Sequence, residues 1–198
     1  MRKMFIAFAL WISTSGVTAS ATTIGFNDLL TSAPFITYTE SGFTVSATSG
    51  SWEAFTGYGN PPPFILFNRA ADEPTITAQI EITAGGAPFT FSSVDLYSSI
   101  TTIPYEFTGF LNLNPVFTVA GTVPNTFGGF ETVNVNSVQL IDTLLITHSN
   151  PATECCLNPV GLDNIVVNDS VPEPATLLLL GTGLAAAGLA RRRATMRT

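Results

Sequence analysis

The residues able to do chemistry in this chain are few. Between residues 22 and 170 there is one histidine, His148, one arginine, Arg69, and no lysine. The sequence holds no Gly-x-Ser-x-Gly elbow, phosphate-binding glycine loop or His-x-x-x-His pair. The motifs that activate a serine, cradle a phosphate or hold a catalytic zinc are therefore missing. His148 opens the stretch Ser149–Pro159 and is expected as a solvated loop residue. Of fourteen acids, all but Glu173 fall in the same central segment. A glycosidase needs only two carboxylates about 5–9.5 Å apart, and among thirteen acids some such pair is nearly unavoidable. The expectation is a body without catalytic residues, structural or adhesive in role. A carbohydrate-binding module is the first alternative and a glycan-active enzyme the second.

Two further groups invite chemistry. Cys155 and Cys156 are the only cysteines and are adjacent, so no long-range disulfide can form within one chain. A vicinal Cys155–Cys156 disulfide is the preferred reading, with free thiols or an intermolecular bridge as alternatives. One histidine and a vicinal cysteine pair also lack the ligand spacing of a transition-metal site. The stretch 49–63 carries Trp52, Phe55 and Tyr58 and ends in three prolines. Aromatic rings on a stiff loop would stack on the C–H face of a sugar; alternatively they fold back and cover the end of the domain.

The elements that must position these residues have period two. Phe43, Val45 and Ala47 alternate with polar residues, as do Ile76, Ala78, Ile80 and Ile82, then Val138 and Leu140, and Leu144 and Ile146. Such runs predict strands with one buried face. In Phe89, Phe91, Val94 and Leu96 the alternation slips between 91 and 94, which predicts a bulge or strand break. Turn signals separate the runs at Ala84-Gly85-Gly86, Asn114-Pro115, Val123-Pro124-Asn125, Gly128-Gly129 and Asn158-Pro159. Twenty-eight threonines and fifteen phenylalanines fit β-structure. With no βαβ alternation, the expected fold is an all-β, two-sheet antiparallel sandwich over 22–170.

The two ends of the chain read as addresses. Arg2-Lys3, the apolar run Met4–Ile12 and Ala19-Ser20-Ala21 follow the order of a signal peptide for Sec export over 1–21. At the other end Val171-Pro172-Glu173-Pro174 precedes sixteen uncharged residues, 175–190, and then Arg191-Arg192-Arg193 in a basic tail, 191–198. A helix of sixteen residues reaches about 24 Å, short of a hydrocarbon core of about 30 Å. It is expected as a marginal transmembrane helix, with the arginines on the cytoplasmic side and the body outside. Charge divides the same way: thirteen acids against Arg69 make the body strongly acidic between basic ends. With only 11% charged residues, a nucleic-acid binder, coiled coil or disordered acidic tail is excluded.

The Val-Pro-Glu-Pro, short helix and arginine cluster resemble the PEP-CTERM sorting signal. The resemblance implies processing by an exosortase, a membrane-embedded protease or transpeptidase, in a Gram-negative bacterium that makes exopolysaccharide. The protein would then pass through a transient inner-membrane anchor to the cell envelope, surface or biofilm matrix. More loosely, Gly25–Leu29, Pro88–Leu96 and Gly161–Ile165 resemble strands of jelly-roll domains found among such proteins and among carbohydrate-binding modules. In a jelly roll the first and last strands are often neighbours. Asn27, Asp28, Asp163 and Asn164 would then supply oxygen ligands for a structural Ca²⁺, or else make turn and strand-end hydrogen bonds to nearby backbone.

Overall fold

In the computed structural model of the chain, the described residues are 21–57, 62–68, 74–127, 129–151, 157–169 and 183. Ser20–Ser170 form one compact unit. Strands numbered in chain order build two sheets. The first runs β11 (Glu131–Asn134), β8 (Phe89–Ser98), β13 (Val160–Asp169), β6 (Phe64–Phe67), β5 (Trp52–Phe55) and β2 (Ala33–Pro34). In it β1 (Ala21–Ile24) lies beside the second half of β13, with Ile24 opposite Ile165. The second runs β10 (Asn114–Val123), β9 (Ile103–Leu111), β12 (Thr143–Asn150), β7 (Ile76–Thr83), β4 (Phe43–Ser49) and β3 (Thr37–Glu40). Every pairing is antiparallel. The expected all-β sandwich is what forms.

Its core is the apolar half of each alternating run. Ala78, Ile80 and Ile82 of β7 and Leu144 and Ile146 of β12 are buried, facing Phe89, Phe91, Val94 and Leu96 of β8. Aromatic rings lock the two sheets together edge to face: Phe43 on Phe89 at 5.3 Å and Phe91 on Phe107 at 5.4 Å. Each such pair adds about 0.5–1.5 kcal/mol to the area it buries. The slip predicted between 91 and 94 is present. Ser93 pairs with Val166 and Phe91 with Val167, so Ser92 is the extra residue on β8. A second irregularity lies opposite on β13, between Asp163 and Val166, where Asn164 takes φ +45°.

Two glycines are required by close approach. At Gly50, φ is +83° and a Cβ would sit 2.4 Å from Cβ of Ala78. At Gly161, in the middle of β13, a Cβ would lie 2.4 Å from the Ile65 carbonyl oxygen and 2.7 Å from the Phe64 ring. A buried amide pair closes the far end of β12. Asn158 donates to the Asn150 side-chain oxygen at 2.9 Å and to Thr101 at 2.8 Å, and accepts the Ile100 N–H at 2.9 Å. Asn150 returns a bond to the Asn158 carbonyl at 2.8 Å. The Asn158-Pro159 turn signal is therefore also a packing element.

Two expectations are corrected. Val138 and Leu140 do not lie on a half-buried strand: Val138 is 88% exposed, in irregular chain between β11 and β12. The Val135 and Asn136 N–H groups both turn onto the Ser92 carbonyl, and Asn136 has φ +49°, which ends the extended run. Nor is Asn114-Pro115 the turn. The β9–β10 hairpin turns at Asn112-Leu113, φ +51° and +66°, and Pro115 is the second residue of the edge strand β10, where a missing N–H costs the ladder nothing. Leucine in the left-handed region is strained by about 1–2 kcal/mol.

Candidate functional site

The polar half of the alternating runs makes a surface. In β7 the residues between the buried ones are Thr77, Gln79, Glu81 and Thr83, and in β12 they are Thr143, Leu145, Thr147 and Ser149. Register places them in rows across the outer face of the second sheet. One row is Ala120, Glu106, Thr147, Gln79 and Thr48. The next is Thr118, Thr108, Leu145, Glu81, Ser46 and Thr37. A third is Phe110, Thr143, Thr83, Thr44 and Thr39. Strands about 4.8 Å apart, with same-face residues about 6.8 Å apart along each, make this a regular grid of hydroxyls.

The hydroxyls are tied to one another across strands. Gln79 donates to Thr147 at 2.9 Å and accepts from Thr48 at 3.0 Å. Thr77 meets Ser149 and Thr37 meets Ser46, each at 3.2 Å, and Thr108 meets Thr118 at 3.3 Å. A hydroxyl has one donor and two acceptor lone pairs, so a residue engaged in this ladder keeps capacity for a ligand. At one side the face dips into a groove of about 310 Å³ lined by Pro104, Tyr105, Glu106, Ala120, Gly121, Thr147 and Ser149. Chemically, the face offers neutral hydrogen bonding, two carboxylates, Glu81 and Glu106, and apolar contact at Leu145 and Phe110.

The residues singled out from sequence fall elsewhere. Trp52, expected on an open loop, is on β5 and buried in the core, where its ring packs on Phe67 at 4.9 Å and its Nε1–H donates to Ser49 O at 2.9 Å. It presents no face to a sugar. Phe55, half-buried, meets Phe64 edge to face at 6.1 Å on the outer side of the first sheet, where Leu66, Tyr97 and Phe130 complete a second apolar cluster. Both residues thus lie on a strand, not on a loop, Trp52 in the core and Phe55 against the second cluster. Tyr58 lies outside the described residues, as do Cys155, Cys156, Val171–Pro174 and Arg191–Arg193.

His148 is also corrected. It is the third inward position of β12 after Leu144 and Ile146, fully buried, with its ring 6.3 Å from that of Trp52. Neither ring nitrogen has a hydrogen-bond partner. Burial disfavours the imidazolium and pushes its pKa down to about 3. A neutral ring sealed between two sheets reaches no substrate.

The four residues considered for Ca²⁺ are partly assembled. β1 and β13 are neighbours, as that reading requires. Asn27 and Asp28 are exposed, however, while Asp163 is fully buried and accepts the Asn164 N–H at 2.8 Å. The Asn164 side chain donates to Asp95 at 2.9 Å, and Thr132 donates to the same carboxylate at 2.5 Å. Among the described residues no group of three or more His, Cys, Asp or Glu converges on one point. These hydrogen bonds lie in the middle of β13, at its irregularity, and tie it to β8.

Sequence reasoning passed over the hydroxyl face. Its signal was present as the polar partners in each alternating run, which are Thr and Ser far more often than Lys or Arg.

Three solved structures bear a partial likeness to the chain. The chain is 10% identical to the enzymatically active domain of tailspike protein 4 of bacteriophage CBA120, with TM-score 0.42, over 64% of this chain and 19% of that one. It is 10% identical to TmCBM61 in complex with β-1,4-galactotriose, with TM-score 0.40, over 64% of this chain and 88% of that one. It is 11% identical to a mutant of CBM29-2, a family 29 carbohydrate-binding module, with TM-score 0.42, over 79% of this chain and 99% of that one. No curated protein matches it in sequence. The terminal segment is decisive: residues 170–194 match the PEP-CTERM protein-sorting motif, so the chain carries the C-terminal sorting signal of exosortase substrates and is an exported protein, sorted at the membrane of the cell envelope.

Proposed function

We propose that this protein is a non-catalytic, adhesive component of the cell surface or exopolysaccharide matrix, and that it holds polysaccharide on the outer face of its six-stranded sheet. The observation that carries the reading is the hydroxyl grid with its groove beside Glu106 and Thr147. A sugar polymer is itself an array of hydroxyls. Groups that both donate and accept match it without requiring charge, and loose, water-bridged contacts repeated along a chain add up. Leu145 and Phe110 would take the C–H faces. Asp95 and Asp163, acids opposite each other on β8 and β13, are both buried, so that pair is closed to a substrate.

Affinity electrophoresis of the exported protein through gels containing single polysaccharides tests this. Retardation by at least one polymer is expected, weakened about tenfold by Thr147→Val with Gln79→Leu, because a buried hydrogen-bonding contact contributes about 1–1.5 kcal/mol. No retardation by any polymer, the host's own included, would leave only a structural role.

The sorting signal completes the proposal. Within it, 175–190 serves as a transient span in the inner membrane of a Gram-negative host, the body lies outside, and an exosortase severs the chain near Pro174. Proline lacks an N–H and restricts the residue before it, so Pro172 and Pro174 disfavour sheet and helix pairing, which suits a protease substrate.

A further inference from the structure

At the end of the sandwich that leads into the sorting signal, three aliphatic side chains face water. A short series of contacts connects them. Asp169, the last residue of β13, pairs with Phe89. Phe89 exchanges backbone hydrogen bonds of 2.7 and 2.9 Å with Ile141. The next residue, Asp142, accepts the Asn112 N–H at 2.7 Å, in the turn of the β9–β10 hairpin. Leu113 in that turn is 92% exposed, Val116 is 37% exposed and Leu140 is 46% exposed. At roughly 5 Å per strand spacing, this tip stands roughly 15–20 Å from Asp169.

Leucine is an unexpected residue there. With φ above zero at both central positions, the turn asks for glycine or asparagine at position 113. Leu113 meets neither the core nor the steric demand of the turn. We propose that Leu113, with Val116 and Leu140, is a wedge that enters the lipid surface and seats the body on the bilayer while the tail is still attached. The inference rests on the anchor reading of 175–190. Five residues, 170–174, separate β13 from that stretch and span at most about 18 Å. The bilayer surface is therefore brought within reach of this end. Tethering makes the contact intramolecular, so three aliphatic side chains suffice where free protein would not bind. Asp142, the nearest acid, has its carboxylate engaged by the hairpin backbone.

Site-directed spin labelling of the full chain in phosphatidylethanolamine–phosphatidylglycerol vesicles tests it, in a background carrying Cys155→Ser and Cys156→Ser. Labels are placed singly through Leu113→Cys, Leu179→Cys in the tail, and Phe127→Cys beyond the opposite end of β10. Collision with oxygen over a water-soluble nickel complex should be raised several-fold at 113 and 179 and remain water-like at 127. Lipid-like values at 179 with water-like values at 113 overturn the wedge alone. Water-like values at 179 overturn the anchor reading and the wedge with it. Leu113→Asn, which suits the turn, should fold at least as well as the parent and should restore water-like values to a label at Val116→Cys. Unchanged lipid-like values there would also overturn the proposal.

Discussion

Replacing His148 by leucine should remove most of the acid sensitivity particular to this core. The folded imidazole, without partners and fully buried, ionises at about 3, whereas an unfolded histidine ionises at about 6.5. The folded pKa is lowered, so below pH 6.5 the unfolded chain takes up a proton that the folded chain refuses. Stability therefore rises with pH and is lost as pH falls from about 6.5 towards 3. The linkage integral gives a loss of about 2 kcal/mol at pH 5 and about 3 kcal/mol at pH 4, relative to pH 8. For a domain of this size 2 kcal/mol lowers Tm by about 4–8 °C. His148→Leu keeps an apolar side chain beside Trp52 and also removes two unsatisfied nitrogens, whose burial costs about 1–3 kcal/mol. The variant should match or exceed the parent at pH 8, and the gap should widen by roughly 1.4 kcal/mol per pH unit below 6.5. Urea unfolding at half-unit steps from pH 8 to 4.5 measures it, and the carboxylates, common to both proteins, cancel in the difference. Parallel curves would refute the argument, because they would mean that His148 is protonated or hydrated in the folded protein.

Other outcomes follow from single contacts. Asn158→Ala removes three side-chain bonds and strands the Asn150 oxygen in the core; a loss of about 2–4 kcal/mol in urea unfolding is expected, and a loss under 0.5 would show that water replaces the clamp. Gly161→Ala puts a methyl against the Ile65 carbonyl and the Phe64 ring; it should cost about 1–3 kcal/mol, whereas Gly85→Ala, whose Cβ meets nothing within 4 Å, should cost only the strain of its positive φ. Protein from the native host should have an intact mass ending near Pro174, and hence a net charge of 1 − 14 = −13 from Arg69 and fourteen acids; a mass that includes 175–198 would make the tail a permanent anchor.

Alternation alone determined the class of this fold, because the side chains of a strand point to opposite faces whatever the strand pairs with. The runs at 43–47, 76–82 and 89–96 needed no partner to be read, and even the slip near Ser92 showed in the spacing of Phe91 and Val94. The address was equally legible, since a sorting signal is recognised as a linear motif with an apolar stretch and a basic end. Tertiary structure decided the rest. His148 continues the inward parity of Leu144 and Ile146, yet at the head of Ser149–Pro159 it read as a solvated loop residue; only the closure of two sheets over it makes a buried neutral imidazole. Trp52 stood among glycines and prolines like a loop aromatic, and pairing with Phe67 turned it into core. The outer face shows the difference most plainly. Each Thr and Ser was visible as the polar half of its own strand, but Thr77 and Ser149 are 72 residues apart in the chain and 3.2 Å apart in space. A surface made by register across six strands is not written in any one of them, because register is fixed by what the opposite face buries.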